Sequence, residues 1–158
     1  YCKTCETKSF SDRINKKDFG GTVIMKVKLS KVVDAMNSVN DETEYYYNPD
    51  KEEIFMSNIG DFIDLDEDEL DELFEKSIML PTRYDIHEYD IMVRFVETIT
   101  DTRLQNQLYI SLNGKGAFRR FKDTCINFNI IDDWYKFRDE KYQEIAISWC
   151  QKNNIEFE

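Results

Sequence analysis

The chain has 158 residues, 14% of them aromatic and 34% charged, with a net charge of −11. This length and aromatic content suffice for a buried core and argue against disorder, while five Gly and two Pro argue against a turn-rich all-β fold. No apolar run reaches the ~18 residues of a membrane span, and so acidic a chain is repelled by anionic lipid and by bulk nucleic acid, which recruit a Lys/Arg excess.

Residues 1–24 hold five basic and three acidic groups, a Lys16-Lys17 pair and a Gly20-Gly21 break, without helical or strand periodicity. They read as an N-terminal extension ahead of a single compact domain over residues 25–158. Over residues 22–29, Val23, Met25, Val27 and Leu29 recur with the period of two that marks a short strand. Ser30 is placed to cap a helix reaching about Ser38, with Val32, Val33 and Met36 facing inward. Residues 44–47 and 53–57, rich in Tyr, Ile and Phe, flank Asn48-Pro49-Asp50-Lys51, a β-hairpin signal.

From Asp66 onward the pattern is helical. Asp66 and Glu69 form a capping pair, and Leu70, Leu73, Phe74 and Ile78 make one apolar face that Leu80-Pro81 terminates. Asp85 and Glu88 repeat the arrangement before Tyr89, Met92, Val93, Val96 and Ile99. Leu104, Leu108 and Leu112 predict a short helix stopped at Asn113-Gly114. Phe118, Phe121, Cys125 and Phe128 follow at helical spacing, and a last helix from Asp132 to about Asn153 aligns Tyr135, Tyr142, Ala146 and Trp149. The predicted class is α+β, a small antiparallel β element (strand plus hairpin) followed by a bundle of about five helices.

Three segments carry a resemblance. LPTRYDIHEYDIM (80–92), GKGAFRRFKD (114–123) and WYKFRDEKYQEIAISW (134–149) resemble, in order and spacing, an uncharacterised bacterial protein family, UPF0158. The opening MKVKLS at Met25 is also similar to the start of its members, and the resemblance spans residues 25–157. It implies a compact bacterial domain and carries over no catalytic residue.

The chemistry-bearing groups are few. Cys2-x-x-Cys5 is half of a zinc knuckle whose second pair is missing, so no metal or cofactor is expected. Cys125 fits a small core position, and four scattered cysteines fit a reducing cytoplasm. His87 is the sole histidine and would anchor any hydrolase, with Asp85, Glu88 and a neighbouring arginine. No nucleophile signature accompanies it. Residues 61–75 hold nine carboxylates without a calcium-loop glycine; they read as a solvated helix face, with Asp64, Asp68 and Glu72 as acidic docking candidates.

Residues 115–141 are locally basic within this acidic chain. Lys115, Arg119, Arg120, Lys122, Trp134, Lys136 and Arg138 are the candidates for contacting a partner, a phosphate ligand or nucleic acid. The competing reading is an internal network, with Arg119 paired to Asp123 and Arg120 or Arg138 pinning Asp139 or helix carbonyls. Together these features predict an acidic cytoplasmic protein-interaction or regulatory module with an unknown protein partner and no catalysis. The alternatives are nucleic-acid or phosphate-ligand binding through residues 115–141, and a small hydrolase around His87.

Overall fold

The computed structural model describes residues 26–57 and 64–158. The leading extension, the Cys2/Cys5 pair, the start of the first strand and Asp61 lie outside the described residues.

Strand β1 (Lys26–Val27) leads directly into α1 (Leu29–Ser38), which buries Val32, Ala35 and Met36 at helical spacing. Lys28 occupies the cap position without a side-chain bond, so Ser30 lies inside the first turn instead of capping it. The hairpin forms as predicted, with β2 (Tyr45–Asn48) antiparallel to β3 (Glu53–Met56). Asn48 Oδ1 accepts the Lys51 N–H at 3.0 Å, the side-chain turn that Asn favours before Pro. Tyr47 is fully buried, and its hydroxyl donates to the Lys26 carbonyl at 2.9 Å.

Helix α2 (Glu67–Glu75) opens on the predicted capping box. Glu69 N–H donates to Asp66 Oδ1 at 2.9 Å, and Asp66 N–H to Glu69 Oε2 at 3.2 Å. The helix ends at Lys76 rather than running to Leu80-Pro81. Ile78 and Met79 instead form β4 (Ile78–Met79), which joins β2 antiparallel in a sheet of order β3-β2-β4. Phe74 sets α2 against this sheet, meeting Tyr46 edge-on at 5.0 Å and Phe55 at 5.8 Å.

The remaining helices are α3 (Arg83–Ile86), α4 (Glu88–Thr98), α5 (Thr102–Ser111), α6 (Ala117–Asn127) and α7 (Ile131–Lys152). Asp101 caps α5 by accepting the Leu104 N–H at 2.9 Å, and Gly114 takes the positive φ that follows the helix end. The last strand, β5 (Glu156–Phe157), pairs parallel with β1. The opening strand is therefore separate from the hairpin sheet, a correction to the single antiparallel element. A parallel partner requires a long crossover, so no local pattern could announce it.

The core is aromatic. Trp134 is fully buried between Phe121 and Phe95, with ring centroids 4.9 and 5.5 Å away. It therefore offers no surface for a ligand. Tyr135, which the helical phase had turned inward, is 41% exposed. One residue is about 100° of helix, and both Trp134 and Tyr135 are compatible in phase with Tyr142; burial of the larger ring decided between them.

Candidate docking groove

The junction between α3 and α4 positions the main concavity. Thr82 caps α3 with Asp85 as the reciprocal acceptor, and Asp85 Oδ2 receives the Thr82 N–H at 2.8 Å and the Thr82 hydroxyl at 2.7 Å. These bonds hold the Asp85 carboxyl below the usual carboxylate range, with smaller help from the charges of His87 and Lys152. Asp85 is thus the third residue of a short helix, not the cap of α4.

His87 sits between the two helices in left-handed conformation, φ +50°. Its N–H donates to the Arg83 carbonyl, and its own carbonyl accepts from Asp90 at 2.9 Å. A left-handed non-glycine residue costs about 1–2 kcal/mol. This turn leaves the imidazole exposed and facing a cleft rather than in the first turn of a helix.

That cleft measures about 550 Å³. Met79, Leu80 and Pro81 form one apolar side, and Ile145 with Trp149 the other; Asp85, His87, Glu144, Ser148 and Lys152 supply the polar groups. Trp149 Nε1 donates to the Met79 carbonyl at 2.8 Å, which ties α7 to β4, while the Met79 residue remains 45% exposed. A second recess of about 210 Å³ shares Asp85, His87, Glu144 and Ile145 and continues past Asp90, Ile91, Arg94 and Lys141. The two make one groove along α7 from Lys141 to Lys152, about 16 Å at 1.5 Å per residue.

Polar groups in this groove divide into engaged and uncommitted. Lys141 Nζ donates to both oxygens of Glu144, at 2.7 and 2.9 Å. The His87 ring, the Ser148 hydroxyl and the Lys152 ammonium make no hydrogen bond or ion pair among the described residues. Glu88, expected beside His87 in a hydrolase, is drawn away instead. Its Oε1 lies 3.1 Å from Arg138 Nε in an ion pair, although that N–H is not aligned with it as a hydrogen bond.

The basic stretch does not gather around a cavity of this kind. Arg120 donates to the carbonyls of Asn113, Gly114 and Lys115, closing the loop between α5 and α6. Arg138 joins three helices through Glu88, through Asn37 Oδ1 at 2.8 Å and through Tyr142, over whose ring it lies at 4.6 Å. Both act as scaffold, through partners other than the Asp139 that the sequence offered. Arg119 is exposed, 3.8 Å from Asp123; Lys115 and Lys136 are exposed and Lys122 half-buried. None of these cations lines the groove.

Asp64 and Asp68 lie exposed at and before α2, and Glu72 pairs with Lys76 one turn on. Glu72 also borders a shallow recess of about 240 Å³ with Leu65 and Lys51. No group of three or more metal-ligating side chains is assembled among the described residues. Cys125 and Cys150 are free and buried, and burial pushes their thiols up to about 12 and about 11.

Sequence reasoning missed Met79, Ile145, Ser148, Trp149 and Lys152 as a set. The available signal was the pair of rows on α7, Lys141-Ile145-Trp149 and Glu144-Ser148-Lys152, each spaced by four residues and therefore adjacent on the helix.

A family model described as "Uncharacterised protein family (UPF0158)" matches residues 23–158. A Pseudomonas aeruginosa protein, described as UPF0158 protein PA5073, is 24% identical over 67 residues, which cover 42% of this chain and 44% of that protein. The match thus spans less than half the length of that relative. No solved structure matches the chain. No helix among the described residues is long and apolar enough to cross a membrane.

Proposed function

This chain belongs to the uncharacterised protein family UPF0158, and from the geometry of its groove we propose that it is a protein-interaction module that docks an extended segment of a partner protein along α7. One observation carries the reading. The molecule keeps an apolar-floored groove with Met79 exposed and with donors left uncommitted along its edge. An apolar floor supplies affinity and a few placed polar groups supply orientation, the usual division in a binding recess. On this reading the setting is the cytoplasm, supported by the two free, buried thiols. The acidic outer face of α2 serves solubility and long-range steering rather than contact.

The test is differential capture. Wild type, Met79→Glu in the groove, and Asp68→Lys with Glu72→Lys on α2 are each used as bait in lysate of the native host. The expected result is a defined protein recovered by wild type and by the α2 variant but lost from Met79→Glu, whose melting temperature stays unchanged. Recovery by Met79→Glu at the wild-type level would sink the groove.

A second reading, hydrolysis centred on His87, draws on Ser148 and Asp85 lining the same cleft. It is weaker, because nucleophile and base need to lie within hydrogen-bond reach and no hydrogen bond joins the His87 ring to Ser148 among the described residues. The phosphate- or nucleic-acid-binding alternative loses Arg120 and Arg138 to scaffold contacts.

A further inference from the structure

We propose that the wide end of the groove binds the C-terminal carboxylate of a partner polypeptide that ends in an apolar residue; this inference rests on the docking reading above. The argument begins with a mismatch between donors and acceptors. Both carboxylates at this end are engaged, Asp85 through Oδ2 by Thr82 and Glu144 through both oxygens by Lys141. What remains uncommitted are the Lys152 ammonium, the Ser148 hydroxyl and the His87 ring, of which lysine is purely a donor and the others can donate. An anionic acceptor is the complement of such a set, and charge-assisted bonds to it are the strong ones.

The surrounding surface narrows the ligand. Met79, Leu80, Ile145 and Trp149 present an apolar floor within the same recess, so the anion must arrive attached to an apolar group. Ser148 and Trp149 precede Lys152 by four and three residues, which places their side chains about 5–6 Å from it on the helix surface. Anion and apolar group must therefore be separated by little more than one residue's reach. In an extended segment, successive side chains point to opposite faces, so an acidic neighbour of an apolar anchor would turn away from the floor. A C-terminal residue carries both groups on one Cα. Asp85 Oδ1, the one carboxylate oxygen at this end without a bond, is left to accept that residue's N–H. The preceding residues continue past His87 into the narrow recess beside Asp90 and Arg94.

Two peptide pools with the last four positions randomised, one of free C-terminal acids and one of C-terminal amides, test this on the immobilised full chain. Mass spectrometry of the retained peptides gives the readout. The expected result is about tenfold greater retention of acids than amides, with Leu, Ile, Phe or Met enriched at the last position. Lys152→Met abolishes that preference, and Arg119→Met, on an exposed remote site, preserves it. Equal retention of acids and amides overturns the proposal, as do an acid preference that survives Lys152→Met and selection of internal Asp or Glu from the amide pool. Retention of neither pool above the Met79→Glu protein overturns it too. If Met79→Glu still loses the captured partner while acids gain no preference, docking stands and terminus recognition falls.

Discussion

Arg138 and Arg119 carry the same charge on neighbouring helices, yet removing them has very different consequences. The Arg138 side chain is 17% exposed and holds Glu88 and Asn37, so Arg138→Ala leaves a largely buried carboxylate without its counter-charge. We expect a loss of about 2 kcal/mol of unfolding free energy, below the range for a fully buried pair because some solvent reaches it. Arg119 is 90% exposed, with one long contact to Asp123, so Arg119→Ala should move stability by less than about 0.5 kcal/mol. Urea unfolding midpoints with unchanged slopes distinguish the two, and equal midpoints would contradict the scaffold role of Arg138. The thiols give a second check at this scale. With Cys125 and Cys150 buried and their thiols pushed up to about 12 and about 11, iodoacetamide at pH 8 should leave both unmodified in the folded protein and label both in urea. Labelling of either in the native state, mapped by peptide mass spectrometry, would show that the core opens there.

At the scale of elements, the joint between α3 and α4 depends on one carboxylate. Thr82 holds the Asp85 carboxyl below its ordinary range, so its stabilising effect is complete above the unfolded-state value and is lost as pH falls through the lower folded-state value. Asp85→Asn should therefore cost about 1 kcal/mol at pH 7, as loss of a cap does. The gap to wild type should close below about pH 3, once both states of the wild-type carboxyl are protonated. A gap independent of pH, followed by thermal melts from pH 7 to pH 2.5, would mean that the ionised form is not what the joint uses. The same region shows what local pattern conveys. Capping boxes, the hairpin and the glycine stop after α5 were readable because each is settled by residues three or four apart. The end of α2 was not, because Ile78 fits the apolar helical spacing as well as it fits a strand, and only pairing with Tyr47 selects the strand. His87 looked like a first-turn residue since nothing in its neighbours demands positive φ. The groove was illegible for a similar reason. Met79 and Lys152 stand far apart in the chain and meet only after β4 and α7 are docked.

At the scale of the whole molecule, the short parallel pair at the two ends of the described chain is the contact that local reasoning could least foresee, and the one whose removal tests the architecture. Asn154, at φ +56°, turns the chain out of α7, Ile155 is buried, and β5 then lies beside β1. Glu158 N–H donates to the Val27 carbonyl at 3.1 Å and Leu29 N–H to the Glu158 carbonyl at 2.9 Å, so the strand also satisfies the start of α1. Deleting residues 155–158 exposes the site of Ile155, about 2 kcal/mol by area, and frees backbone groups worth about 1 kcal/mol each. A loss of about 3 kcal/mol or more is a large share of a typical domain stability of roughly 5–15 kcal/mol. The Leu29 amide, protected in the full chain by Glu158, should exchange rapidly after the deletion, while amides in the middle of α7 keep a protection that tracks the remaining global stability. A deletion that left both the urea midpoint and Leu29 exchange unchanged would mean that α1 is held by its contacts with α7 alone, with β1 and β5 adding nothing to that grip.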